Sequence, residues 1–176
     1  MESPAKKVSV AYGIYLGVAL ILITVLAYAF DLALFTKWWF GILIILFTVI
    51  MGGFAASKAK KASTELFTFK KAFGSYFLTI FIGTFIGLLF SFLLFNVIDP
   101  AASETLTELT MESTRAMMER FGAPEDQINE ALRNMQDNNQ FSLVNQLKGY
   151  AFQLVLYALL GLIVSLIVRE KEQVNV

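Results

Sequence analysis

Four stretches of the chain are apolar almost without a break, and the polar residues gather in blocks between them. The runs extend from about Val8 to Phe30, Trp38 to Ala56, Ala72 to Ile98 and Gly149 to Val168, and none contains Asp, Glu, Lys or Arg. A hydrocarbon layer is crossed by roughly 20 residues at helical rise. Its interior offers bare backbone no hydrogen-bond partner, so each run is predicted to be a transmembrane helix. The third run is the longest and is expected to tilt. Lys6 and Lys7 before the first run, with Ala27-Tyr28-Ala29 near its end, imitate a cleaved leader. The run exceeds the about 7–15 apolar residues of a leader's central region, so a retained span is expected.

The connections differ in kind. Asp31–Lys37 is short enough to make the first two spans an antiparallel hairpin. Between the third and fourth spans the chain is long and polar. Asp99-Pro100 reads as a helix cap followed by proline in the first turn. A helix is predicted from there to about Phe121, with Leu106, Leu109, Met117 and Phe121 near one face and Gly122 ending it. Pro124-Glu125-Asp126 opens another helix, its acids placed where the helix dipole favours them. Ile128, Leu132 and Met135 supply its apolar stripe. Asp137-Asn138-Asn139 marks a break, and Ser142 is positioned to cap the helix entering the fourth span. The fold class is therefore an all-α integral membrane four-helix bundle, a single domain over 1–176, with an extracytoplasmic helical hairpin at 99–141.

Charge orients this arrangement. With an even number of spans, the N-terminus, the 57–71 loop and the C-terminus share one side. That side holds nine Lys/Arg and four acids; the other holds five and ten, so the sides carry +5 and −5. Basic residues accumulate on the cytoplasmic side of membrane proteins, which predicts both termini in the cytoplasm and the hairpin outside. Trp38 and Trp39 then sit at the outer interface. Composition agrees with a membrane-embedded chain: 57% of residues are hydrophobic, 17 of them Phe, and only 16% are charged. The formal net charge is zero, so nothing points to nucleic acid. Cys and His are absent, which removes disulfides, thiol chemistry and the commonest metal ligands. The halves echo one another faintly, Lys6-Lys7 with Tyr12 against Lys70-Lys71 with Tyr76, as internal duplication would leave.

Several segments resemble a known family: Phe69-Lys70-Lys71-Ala72-Phe73-Gly74, Asn96-Val97-Ile98-Asp99-Pro100, Met111 through Arg120, and Gly122-Ala123-Pro124-Glu125-Asp126-Gln127-Ile128. The chain is similar to the uncharacterised bacterial four-span membrane family known as domain of unknown function 4199. The resemblance spans nearly the whole chain and implies the same architecture in a bacterial cytoplasmic (inner) membrane. It carries no activity and no catalytic residues.

Residues that could carry function are of three kinds. Small side chains recur every four positions in the third span (Ser75, Thr79, Gly83, Gly87, Ser91), with Gly13 and Gly17, Gly52 and Ala56, and Gly161 and Ser165 similarly spaced in the others. Such stripes let another backbone approach closely, within one bundle or between copies. Lys58, Lys60, Lys61, Lys70 and Lys71 form a basic loop that marks topology and suits anionic lipid headgroups. Glu104, Glu108 and Glu112 form an acidic row, a solvated face by default and otherwise a docking surface or a weak site for a hard cation. The Met residues of the hairpin are expected to fill apolar contacts rather than bind Cu(I).

No metal site, cofactor motif or catalytic constellation is expected. The spans offer only hydroxyl and amide groups, which speaks against an ion-coupled pump. No nucleophile has a base beside it, so catalysis is not expected. The leading expectation is a small structural or interaction protein, with membrane lipid and a membrane-protein partner or a second copy as its contacts. The rival is a passive transporter or channel component acting as an oligomer; an intramembrane enzyme stands third.

Overall fold

A computed structural model describes residues 3–137 and 140–170, and among these the chain is helical with short connections. Helix α1 spans Pro4–Phe30, with the Ser3 side chain accepting from the Lys6 N–H and proline in the first turn. Asp31 ends it in extended backbone and caps a 3-10 turn, Leu32–Thr36, by accepting from the Ala33 N–H at 2.9 Å. Helices α2 (Trp38–Ala62) and α3 (Phe69–Leu93) follow, and α3 continues through one π-helical turn, Leu94–Ile98. Helices α4 (Pro100–Arg120), α5 (Glu125–Asp137) and α6 (Leu143–Val168) complete the chain. Four helical stretches, Pro4–Phe30, Trp38–Ala62, Phe69–Ile98 and Leu143–Val168, are long and apolar enough to cross a membrane.

The helices outrun the apolar runs. Helix α1 begins before Val8, α2 continues past Ala56 to Ala62, and α6 starts at Leu143, well before Gly149. Hydropathy marks where lipid begins, whereas intrahelical hydrogen bonds continue into water. The basic loop is accordingly shorter than its sequence suggests. Lys58, Lys60 and Lys61 lie on the last turns of α2, Lys70 and Lys71 on the first turn of α3, and only Ser63–Thr68 lies between the helices. Of the break expected at Asp137-Asn138-Asn139, the last two residues lie outside the described residues.

Helix α3 is the axis of the bundle: it touches α1, α2 and α6, while α1 and α6 lie across from each other without contact. Inside and outside are reversed relative to a soluble bundle. The buried positions of the spans include Ser9, Gly13, Thr48, Gly52, Ser75, Thr79, Gly83 and Ser165. Many large side chains face outward, Phe152 and Ile167 both 78% exposed and Ile50 67%, while Leu16, Tyr76, Ile80 and Tyr157 are buried at the centre. Lipid tails are as apolar as Leu, so there is no hydrophobic gain in burying such residues; small residues inside let backbones approach and gain dispersion contacts.

Positions two residues apart on a helix point about 200° apart. The two four-residue series on α3 therefore lie on opposite faces. Phe69, Phe73, Phe77, Phe81 and Phe85 form a stacked ribbon with neighbouring ring centroids 5.8–6.5 Å apart, and Tyr150 of α6 tilts onto Phe81 and Phe85. The small series faces α1. A methyl group at Gly83 would stand 2.6 Å from Leu16, one at Gly13 2.8 Å from Ile82, and one at Gly17 2.8 Å from Ile86. Tyr76 is clasped from both sides: methyls at Gly52 and Gly161 would stand 2.9 and 2.5 Å from its ring. Polar bonds fix the register, with the Thr79 hydroxyl donating toward the Ser9 carbonyl at 3.0 Å and the Tyr150 hydroxyl to the Phe81 carbonyl at 2.9 Å. The echo between Tyr12 and Tyr76 does not extend to their surroundings, since Tyr12 is half-buried and Tyr76 fully buried.

The seam distances predict a graded response. Gly83→Ala and Gly161→Ala place a methyl against a Leu16 stem and a clamped ring, and each is expected to lower stability by about 1–3 kcal/mol. Gly87→Ala meets only Leu20 at 3.5 Å and is expected to be neutral or stabilising. Denaturant unfolding of the three variants in detergent micelles checks the order; equal losses at Gly83 and Gly87 would contradict the packing described.

Candidate functional site

Three regions bring polar side chains together: the lysine-bearing end, a cavity inside the bundle, and the hairpin with its base. At the lysine end, Phe67 turns inward and is fully buried beside Ala59 and Ala72, against Ala5, Val8 and Val168. It is tied to the end of α6 in both directions. The Phe67 N–H donates to the Glu170 carboxylate and the Glu170 N–H to the Phe67 carbonyl, both at 2.9 Å. Lys60 lies 3.9 Å from the same carboxylate. Lys71 pairs with Glu65, which holds that carboxyl below its ordinary range, and the Lys58 ammonium sits 5.1 Å above the Phe54 ring. Three of the five lysines read as lipid contacts therefore have partners within the chain.

The cavity opens where the spans separate toward the hairpin end. It has a volume of about 320 Å³ and is lined from all four spans by Thr24, Thr48, Thr84, Ser91, Gln146, Tyr150, Gln153 and Tyr157, among apolar residues such as Leu20 and Ile44. Several of these polar groups are already engaged. The Thr24 and Thr84 hydroxyls donate to Leu20 and Ile80 carbonyls of their own helices at 2.9 and 2.6 Å, and the Gln146 amide donates to the Phe141 carbonyl at 2.8 Å. Thr48 is fully buried with its hydroxyl within reach of the Tyr157 hydroxyl, and neither it nor the buried Tyr76 hydroxyl makes a hydrogen bond of good geometry. A second hollow of about 420 Å³ beneath the hairpin shares Ser91 and Gln146 with this cavity, so the two adjoin.

The hairpin is seated on the bundle by a second core. Leu94 and Phe95 of the π turn, with Ala102 and Leu106 of α4, are buried against Tyr28, Leu32, Phe35, Phe90 and Phe141. The π turn places the Asp99 N–H 2.8 Å from the Leu94 carbonyl. Asp99 then caps α4 by accepting from the Ala102 N–H at 3.1 Å, and its other oxygen accepts the Tyr28 hydroxyl at 2.7 Å. At the far end Gly122 adopts φ +72°, with the Ala123 N–H on the Met118 carbonyl and the Gly122 N–H on that of Glu119, both at 3.0 Å. Those two bonds are a Schellman cap, the reason a glycine ends the helix there. Arg115 joins the arms, contacting Glu119 at 2.8 Å and Glu125 at 3.5 Å.

Of the stripes read from sequence, Ile128 is buried and Leu132 and Met135 half-buried. Leu106 of α4 is buried too, but Met117 and Phe121, on about the same face, are 55% and 82% exposed. The face is one; the bundle end that covers it stops after Leu106. Glu104, Glu108 and Glu112 are exposed, and the first two border a groove that includes Met111 and Met135. Among the described residues no three acidic side chains come together as a metal site would need. The small residues Gly13, Gly17, Gly52, Gly83 and Gly161 contact neighbouring spans of the same chain, and Ala56, Ser75, Thr79 and Ser165 are buried. Gly87 and Ser91 line the cavity instead. Sequence reasoning missed the phenylalanine ribbon, although its four-residue spacing was there to be counted. It also missed Phe67 and Thr48, for which only three-dimensional placement gives a signal.

The Asp99 carboxyl lies below its ordinary range, chiefly because Tyr28 donates to it and then because of the Ala102 N–H. A depressed pKa contributes stability that is full above the unfolded value of about 3.9 and is lost as pH falls through the lower folded value. Acidification below about pH 4 is therefore expected to loosen the seating of α4, and Asp99→Asn to remove that acid sensitivity. Amide exchange of residues 101–106 against pH checks it; acid-independent protection in the unaltered protein would contradict it.

No curated protein and no solved structure matches the chain. One family model does, over residues 11–170, and it is described as a protein of unknown function, DUF4199. That match takes in the first membrane-length helix from residue 11 onward, the other three and the hairpin, and the chain belongs to this family.

Proposed function

We propose that the protein is a small, non-enzymatic interaction protein of a bacterial cytoplasmic membrane, whose working surface is the outer face of the α4–α5 hairpin. The observation that carries this reading is the continuation of one apolar face of α4 from buried Leu106 to exposed Met117 and Phe121. A large aromatic left uncovered at the tip of a cap-stabilised, seated helix fits a contact with another molecule. The small-residue faces of the spans support it indirectly, because they are taken up by contacts within the chain. Residues 99–141 hold nine acids and three bases, so two hairpins repel and a partner with basic side chains around an apolar patch is favoured over a second copy. The charge asymmetry along the sequence supports cytoplasmic termini and an outer hairpin, and the resemblance to a bacterial family supports the membrane named.

The rival reading, a passive pore, is opposed by the clasp of Tyr76 between Gly52 and Gly161, which fills the bundle on the lysine side of the cavity. The hydroxyls and amides that line the cavity support the non-enzymatic reading, because none of them is a ready general base.

A photo-crosslinking residue placed at Phe121 in living cells is expected to trap one discrete partner, and the same residue at lipid-facing Phe152 is not. Only monomer from both positions would sink the proposal. For orientation, a reporter active outside the cytoplasm is expected to work when fused after Asp137 and to fail after Lys61; the opposite pattern would invert the molecule.

A further inference from the structure

We propose that the pocket between the first turn of α1, the α2–α3 loop and the start of α3 is a binding site for a phosphate group, such as a phospholipid headgroup bears. The pocket has a volume of about 270 Å³ and lies at the lysine-bearing end, where Lys6, Glu65, Lys71 and Ser75 line it together. Ser75 is the residue that points to a ligand. It is only 9% exposed, it lines the pocket, and its hydroxyl has no hydrogen-bond partner in the chain. Nor is that hydroxyl sealed in protein, as those of Thr48 and Tyr76 are. Neighbouring hydroxyls of the lining are engaged, Ser9 donating to the Ala5 carbonyl at 3.1 Å and Ser63 to that of Glu65 at 2.9 Å. A nearly buried hydroxyl that faces a pocket without a partner is completed at least cost by a ligand.

Charge gives that ligand its sign. Two ammonium groups and one carboxylate line the pocket, an excess of one positive charge. Lys71 pairs with Glu65, but an ammonium has three N–H donors and the Glu65 side chain is 77% exposed, so Lys71 can also donate inward. The first turn of α1 adds the positive end of its dipole. Ammonium groups only donate, which leaves the pocket richer in donors than in acceptors. A phosphodiester carries the single negative charge that balances the excess, and its free oxygens can accept from lysine and Ser75 at once. Depth favours a lipid as its bearer. The pocket runs from the loop at Ser63 to Leu78, inside the third apolar run, and it opens along α3 at exposed Gly74, where an added Cβ would meet nothing within 4 Å. A headgroup fills such a space and leaves the acyl chains outside. The site is independent of the partner surface on α4. It also differs from a general attraction of the loop lysines for anionic lipid, because it depends on Lys6 and Ser75.

The test uses the full chain, delipidated in a neutral maltoside detergent, with binding read by native mass spectrometry and by the shift of the thermal midpoint. The probes are dioctanoyl phosphatidylglycerol, dioctanoylglycerol with the same chains and no phosphate, octanoate, and inorganic phosphate. One tightly retained phosphatidylglycerol is expected, without comparable retention of dioctanoylglycerol or octanoate. Inorganic phosphate that displaces it would make free phosphate the ligand of this site; phosphate without effect assigns the site to lipid. Lys6→Gln is expected to weaken binding about tenfold, and Lys7→Gln, the same change of charge one residue away and outside the pocket, far less. Ser75→Ala is also expected to weaken binding about tenfold. Because it removes no hydrogen bond within the chain, it is expected to leave the lipid-free midpoint unchanged or raised. A merely structural Ser75 would lower that midpoint and leave binding alone. The proposal is overturned by no saturable binding of either phosphate-bearing probe, or by equal retention of dioctanoylglycerol or octanoate. It is overturned as well by binding that ignores Ser75→Ala, or that Lys7→Gln weakens as much as Lys6→Gln.

Discussion

The close approach of α1 to α3 is the constraint on which the rest of the bundle depends. It exists because Gly83 leaves room for Leu16 while Gly13 and Gly17 leave room for Ile82 and Ile86. In lipid the hydrophobic effect does not drive helices together, so stability comes from dispersion at short range and from a few interhelical hydrogen bonds. Both are present along this seam, where Thr79 reaches the Ser9 backbone. With α1 fixed on one face of α3, the phenylalanine ribbon is turned toward α6, and Tyr76 is left to be held by Gly52 and Gly161. Toward the hairpin end the residues facing inward change from glycines meeting large knobs to hydroxyls and amides. The spans no longer close there, and the cavity is the consequence.

The hairpin depends on the same axis at one remove. Helix α3 does not stop at the edge of its apolar run. It widens into a π turn that buries Leu94 and Phe95 and delivers Asp99 both to the cap of α4 and to Tyr28 of α1. The seam that sets α1 against α3 thus also sets the distance from Tyr28 to Asp99. A shift of one turn along α1 would separate that pair and expose the second core. At the opposite end, the two-way hydrogen bonding of Phe67 and Glu170 holds the α2–α3 loop to the end of α6. The bundle is therefore tied at both ends and left hollow between its middle and the hairpin.

Much of this was legible in the sequence, and the reasons are local. The spans follow from uninterrupted apolar runs, and the caps at Asp99, Gly122 and Ser142 follow from side-chain chemistry that acts within three or four residues. The small-residue stripe of α3 was equally plain, because its spacing is the helix period itself. What it packs against was not, since a stripe serves a neighbour in the same chain as readily as one in another. Composition turns polar at Ala56 while the backbone of α2 stays helical to Ala62, so the end of an apolar run does not mark the end of a helix. Met117 and Phe121 were read as part of one face with Leu106, and they are, but how far a covering surface extends depends on where α4 leaves the bundle. Thr48 looks like any other hydroxyl of a span until its complete burial beside Tyr157 is seen in three dimensions.

The claim that the seam lies within one chain is open to direct measurement, because the protein has no cysteine of its own. A Cβ at Gly87 would lie 3.5 Å from the Leu20 Cβ, within the separation that a disulfide spans. Oxidising the double variant Leu20→Cys, Gly87→Cys in native membranes is predicted to give an internally bridged monomer, with shifted mobility on a denaturing gel that reductant reverses. Each single variant is predicted to stay uncrosslinked. Covalent dimers from the double variant, or from Gly87→Cys alone, would show that the third span packs against another copy and would contradict the account.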